Sequence, residues 1–318
     1  MNDPDVTIRP LADGELDLFL ALDMAGEPVL APPGRDFLAT AADRHYRPEW
    51  TWIAQRGDRV VARAAWWGGP DDDHPYALDW LDLAPGPDGD RVAVGARLLR
   101  RAHESGTVRT EDGGPAAFHL FLPPDGTDRP EIRAAVDARV AAARQAGLHP
   151  FVERLRLEWE PSAGVPAGSG RLRFDPVPAD PDLLDLLERI NVGTLDAHAR
   201  RDLDREGPAA AARIQLDDMR WMPSPETLWR TASTPDGELV GLVVPSRNYQ
   251  FPVIGYIGVV PEQRGHGYVD DLLAEGTALL AAEGATVIKA DTDTGNAPMA
   301  ASFARAGYRV TGRRIVMT

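Results

Sequence analysis

A chain of 318 residues with 43% apolar and 26% charged side chains has an ordinary globular composition and the length of two domains of roughly 150 residues each. Its net charge of -15 opposes nucleic acid and anionic membranes as partners, because phosphate contacts need a basic surface; it would attract a cationic small molecule or serve only to keep the protein soluble. The absence of cysteine excludes disulfides, thiolate metal sites and cysteine nucleophiles, and the seven histidines form no HExxH, so no metal is expected.

Of the 34 basic residues only Lys289 is a lysine, which reads as the coding preference of a GC-rich bacterial genome. No apolar run approaches the roughly 20 residues of a membrane span. The opening MNDPDVTIRPLADGE carries acids where a secretory signal carries bases, so a cytoplasmic protein is expected.

In chain order, TIRPLADGELDLFLALD reads as a short strand, a turn and an amphipathic helix. WTWIAQRGDRVVARAAWW is a hairpin turning at Gly57-Asp58, and YALDWLDLAP is an apolar strand stopped at Pro85. ARLLRRAHE is a helix and AAFHLFLP a buried strand; a further helix closes at Gly147 before a last strand. EPSAGVPAGSG, residues 160–170, has no periodic apolar face and is the expected linker.

The same order then repeats. RLRFDPVPADPDLLDLLERIN is strand, turn and helix, and TLWRTASTPDGELVGLVV a hairpin turning at Asp236-Gly237. FPVIGYIGVVP is a strand stopped at Pro261, DDLLAEGTALLAAEG a helix and ATVIKADT a buried strand, with Gly307 closing the last helix. Landmarks recurring at an offset of about 160–180 positions indicate duplication, with domains expected at 1–159 and 171–318.

Between strand and helix of the second half lies Arg264-Gly265-His266-Gly267-Tyr268-Val269. Glycines there permit a tight turn and close approach of an anion, the helix N-terminus adds roughly half a positive charge, and Arg264 offers a cationic contact. The same turn also suits any strand-to-helix corner. A Rossmann site is not completed, since position 270 is Asp, and a Walker lysine is missing. The first half has Gly86-Pro87-Asp88-Gly89-Asp90 instead, where the acids would repel a pyrophosphate.

Val259, Pro261, Arg264, Gly265 and Gly267, followed by Leu272 and Leu273, resemble the first motif of the GNAT superfamily of acyl-CoA-dependent N-acyltransferases. Asn296, with Met299, Phe303 and Gly307 at +3, +7 and +11, resembles its second. The resemblance covers residues 171–318, and the repeat makes the layout similar to tandem-domain members such as mycothiol synthase, with a degenerate N-terminal domain. It implies, for each half, a mixed, mostly antiparallel α/β sheet flanked by helices, with two strands splayed apart. Acetyl-CoA is the implied co-substrate, its pantetheine along Tyr256, Ile257, Gly258, Val259 and Val260. Its pyrophosphate would lie on the amides of Arg264, Gly265, His266, Gly267, Tyr268 and Val269, with Asn296 and Phe303 beside the pantetheine.

Two departures stand out. The family's usual thiolate acid is a tyrosine where this chain has Phe303, which has no proton to give. Either Ser302 or water substitutes, or activity is slow or absent. Val269 is bulkier than the small residue common at its position.

For a general base, Asp291 and Asp293 at the end of the strand after the helix are the candidate carboxylates, and Tyr256 the candidate on the first splayed strand. The alternative is that both acids merely end the strand. His198 reads as an exposed helix residue. Trp66, Trp67, Trp80, Trp221, Trp229 and Tyr249 read as core or interface, although in this family the loop holding RWMPSPETLW, residues 220–229, borders the acceptor site.

The expected activity is direct acetyl transfer to a small-molecule amine, in a monomer or homodimer. A silent acyl-CoA binder and a transferase for a longer acyl group stand as alternatives.

Overall fold

The computed structural model describes residues 5–30 and 35–318, with only the backbone at Asp88 and Gly89. The chain divides into two compact units, one of residues up to Glu153 with Gly312–Thr318, the other of Arg154–Thr311.

In the first unit β1 (Val6–Pro10), α1 (Leu16–Leu20) and α2 (Phe37–Ala42) precede β2 (Thr51–Arg56), β3 (Arg59–Trp67) and β4 (Ala77–Leu83). Then come α3 (Asp88–Ser105), β5 (Ala117–Leu122) and α4 (Pro130–Gln145). Strands β1 to β4 pair antiparallel in sequence, and β4 meets β5 in parallel only at Ala77↔Ala117 and Leu78↔Phe118. The core lies between the sheet and α3 and α4, around Leu78, Phe118, Leu98 and Ile132.

The second unit starts within β6 (Pro150–Trp159) and continues with β7 (Arg173–Pro176), α5 (Asp180–Asn191), α6 (Ala197–Glu206) and α7 (Pro208–Trp221). Strands β8 (Arg230–Ser233), β9 (Leu239–Arg247) and β10 (Pro252–Val259) lead to α8 (Tyr268–Ala282), β11 (Ile288–Asp293), α9 (Ala297–Arg305) and β12 (Arg309–Met317). Strands β7 to β10 pair antiparallel in sequence, and β10 meets β11 in parallel only at Val253↔Lys289. Apolar side chains of α8 and α9 cover one face of this sheet, and those of α5 and α7 the other.

The repeat is visible in the irregularities as well as the order. The β3/β4 register slips so that Asp79 has no opposite residue, and the β9/β10 register slips in the same way at Gly255. Each is a β-bulge just before the strand pair diverges.

Each unit takes its sixth strand from the end of the other half of the sequence. Residues 154–159 of β6 pair with β11, while 313–317 of β12 pair with β5. The sequence division at 159 and 171 assigns both segments to the opposite domain. Hydrophobic pattern announces a strand but not which edge receives it. The expected linker is also fixed to the second unit, through Trp159 Nε1 donating to the Gly164 carbonyl at 3.0 Å and the Ser169 amide donating to Asp271 at 2.6 Å.

Candidate functional site

Strand β10 has a full ladder with β9 on one edge. On the other it pairs with β11 once and then parts from it, because β11 pairs instead with β6 from Ile288 to Asp293. The bulge at Gly255 sits where the edges separate, and a Cβ there would lie 2.7 Å from Cε of Met222. Gly258 is equally confined: a Cβ would come within 2.4 Å of Ile190 and 2.8 Å of the Tyr256 hydroxyl. On the same stretch Ile257 and Val259 are half-buried and Val260, just past the strand, is buried.

Beyond a 3-10 turn at Pro261–Gln263 the chain reaches Gly265 and Gly267, with φ of +81° and +76°. Side chains rarely occupy this left-handed region, and a Cβ at Gly265 would meet nothing, so backbone conformation is what requires glycine. Gly267 is the N-cap of α8. Among the described residues the amides of Gly265, His266, Gly267, Tyr268 and Val269 donate no hydrogen bond within the protein. They surround the start of a 15-residue helix, where its dipole adds partial positive charge. Val269 turns its side chain into the α8/α9 core.

Arg264 does something other than the phosphate contact expected of it. Its guanidinium donates to the carbonyls of Ile190 at 2.6 Å, Val192 at 2.8 Å and Gly193 at 3.2 Å, and to Val259 at 3.1 Å. It clasps the C-terminal end of α5 to the turn. The cation that buttresses the turn is Arg171, which donates to the His266 carbonyl at 3.0 Å and to Asp271 at 2.8 Å and lies 5.0 Å from the Tyr268 ring centroid. Asp270 is paired with Arg305 at 2.7 Å, whose hydrogen bond holds its carboxyl below the usual range. Both acids in the first turn of α8 are thereby matched by arginine.

The α9 residues are each engaged within the protein. Asn296 is the N-cap of α9, accepting from the Met299 amide at 3.3 Å. Phe303 is buried against Tyr308, with ring centroids 5.1 Å apart. Ser302 is fully buried and donates to Asp270 at 2.6 Å, so its proton is committed to a carboxylate on α8. Ser302 is therefore corrected from candidate acid to packing residue.

The face under α5 to α7 gathers the polar groups instead. Tyr256 is half-buried there and hydrogen-bonded to Gln215; burial pushes its phenol up, so it is protonated at neutral pH. Asp293 is 3% exposed and accepts from the Ala197 amide at 2.7 Å, with Arg154 at 3.2 Å. Burial raises its pKa, and Arg154 opposes the rise. Asp291 is half-buried with Arg156 at 3.8 Å.

His198, expected to be exposed, is half-buried. One ligand-capable atom each of Asp196, His198 and Asp293 lies within 4.8 Å of the others. Arg154 lies 3.6 Å from Asp196 and 3.2 Å from Asp293, so its single charge offsets one of the two carboxylate charges, and the imidazole of His198 lies close to both acids. The signal in the sequence was Asp196, a helix N-cap residue two positions ahead of His198. Of the aromatics, Trp66 and Trp229 are buried in their cores, whereas Trp221 is 37% exposed and packs edge-on against Tyr249.

Residues 197–308 match the family model for the acetyltransferase (GNAT) family. No curated protein matches the chain by sequence. Solved structures similar in fold include a GCN5-related N-acetyltransferase from Sphaerobacter thermophilus, 14% identical with a TM-score of 0.60, the match covering 100% of this chain and 96% of that one. A tandem GNAT protein from the clavulanic acid biosynthesis pathway is 19% identical with a TM-score of 0.50, covering 98% and 97%. The glucosamine N-acetyltransferase region of a fungal multi-domain β-N-acetylglucosaminidase is 15% identical with a TM-score of 0.58, covering 98% of this chain and 38% of that one.

Proposed function

From the premise that residues 197–308 form a domain of the GNAT acetyltransferase family, we propose an acetyl-CoA-dependent N-acetyltransferase whose co-substrate site lies wholly in the second unit. The carrying observation is the row of partnerless amides from Gly265 to Val269 beside the unpaired edge of β10. Acetyl-CoA supplies an activated acetyl thioester; the pyrophosphate suits the amides at the start of α8, and the extended pantetheine arm suits the open edge of β10 from Tyr256 to Val260.

The chain's own residues supply the remainder. A backbone amide of β10 beside the Gly255 bulge would supply a fixed dipole for the charge that develops on the acyl oxygen. Tyr256, kept protonated by burial, holds a proton for the departing sulfur and takes the role that Phe303 and Ser302 leave open. His198, between Asp196 and Asp293, accepts the proton lost by the amine. Asp293 and Asp196 orient that imidazole through their places at the start of α6 and are positioning residues.

The acceptor is a small amine, and the acidic surface favours a cationic one. Silent acyl-CoA binding is the second reading, favoured by the burial of Phe303 and Ser302 in the α8/α9 core. Thiol release from acetyl-CoA across a panel of polyamines and amino sugars separates the two. Release with at least one amine, abolished in Gly265→Val, supports transfer. Saturable acetyl-CoA binding with no release across the panel leaves the silent reading standing, and absence of binding removes both.

A further inference from the structure

The first unit carries a cavity that is independent of the acetyl-CoA reading. Where β4 and β5 diverge after Leu78 and Phe118, a space of about 350 Å³ opens, within the usual range of ligand pockets of roughly 300–1,000 Å³. It lies at the bulge equivalent to Gly255, but here the bulged residue is Asp79.

Its charges do not cancel. Asp79 is held by Arg35 at 2.7 Å and by the Tyr46 hydroxyl at 2.9 Å. Asp82 is shared by two arginines, Arg63 at 2.9 Å and Arg139 at 3.0 Å. Burial pushes the Asp82 carboxyl up, and the two guanidiniums together outweigh that and lower it. Glu27, the other acid lining the space, is taken by Arg91 at 2.8 Å. Among the described residues the group therefore retains one uncompensated guanidinium charge, with the side chains of Arg63 and Arg139 only 11% and 3% exposed.

A buried excess charge is costly unless a partner offsets it. Arg139 and Arg63 have no nitrogen left for a ligand: those of Arg139 go to the Leu81 and Ala135 carbonyls and to Asp82, and those of Arg63 to Asp82 and the Phe19 carbonyl. Arg35 differs. Its two terminal nitrogens are engaged by Asp79 and Tyr46, its Nε donates to nothing among the described residues, and it is stacked 4.3 Å from the Trp80 ring and 5.1 Å from the Phe121 ring. The remaining walls, including Phe118, Leu120 and Val29, are apolar.

We propose that this cavity binds a small monocarboxylate with an apolar or aromatic body, its carboxylate accepting from the Nε of Arg35. A single excess charge matches a monoanion, a guanidinium N–H donates well to a carboxylate, and apolar walls reject a free, fully hydrated phosphate.

The test is calorimetric titration of the full chain with 3-phenylpropionate and with its neutral amide, each repeated in the presence of saturating acetyl-CoA. The carboxylate is expected to bind at one site per chain, with the amide roughly ten- to a hundred-fold weaker, and acetyl-CoA is expected not to compete. Arg35→Gln should weaken the carboxylate by a similar factor and leave acetyl-CoA binding unchanged. No binding of the carboxylate, equal binding of the amide, or competition by acetyl-CoA would overturn the assignment; because these comparisons use the unmodified protein, a variant that fails to fold does not obscure them. Acetyl-CoA affinity measured in the same experiment reports separately on the second unit.

Discussion

Replacing Gly265 with valine isolates what the turn before α8 does. The backbone there has φ of +81°, a region costing an L-residue roughly 1–2 kcal/mol and a β-branched one more, while the new Cβ would meet no atom within 4 Å. Strain is relieved by rotating φ to negative values, which swings the amides of Gly265 and His266 away from their common focus. Hydrogen bonds from amides to a charged oxygen contribute about 1.5–3 kcal/mol each, so losing two costs roughly 3–6 kcal/mol of binding, or about 10²- to 10⁴-fold in affinity. Stability should fall by no more than the strain. The assay is calorimetric titration of acetyl-CoA into Gly265→Val and into Gly86→Val, which alters the corresponding turn of the first unit, where Gly86 is unhindered and no positive φ is needed. Unchanged binding by Gly265→Val, or equal loss in both variants, would refute the reasoning.

Three further outcomes follow from the same geometry. Arg264→Ala should lower unfolding stability by about 1–3 kcal/mol, through the α5 carbonyls it bridges, and should weaken acetyl-CoA far less than Gly265→Val does; denaturant unfolding and titration read both. Tyr256→Phe should lower kcat roughly 10²-fold with an active amine and leave the KM for acetyl-CoA unchanged, whereas Ser302→Ala should leave kcat intact. His103, in the last turn of α3, has its pKa pushed down to about 4 by burial and by Arg109. The unfolded chain takes up that proton near pH 6.5, so stability present above that value is lost as pH falls toward 4. Replacement by glutamine should flatten this part of the stability profile.

Much of the site was legible because it depends on local backbone needs. Two glycines at spacing two before a leucine-bearing helix mark left-handed positions at a helix start. The two hairpins and the repeated order were likewise written in alternation and in Gly57 and Gly237, both at positive φ.

What escaped depended on partners distant in sequence. Arg264 satisfies carbonyls more than 70 positions away, and Asp293 accepts from an amide 96 positions away, neither of which spacing can reveal. The exchange of last strands was hidden for a related reason. Half-buried β6 shows little alternation to distinguish one sheet edge from another. Gly255 was the nearest miss: a glycine within a strand is itself a bulge signal.

Hydrogen exchange measured with and without acetyl-CoA tests the central claim most directly. Protection is expected at the amides of residues 265–269 and along 256–260, with residues 84–91 of the first unit unchanged. Protection at 84–91, or none at 265–269 under conditions where acetyl-CoA binds, would contradict a co-substrate site built on the turn before α8.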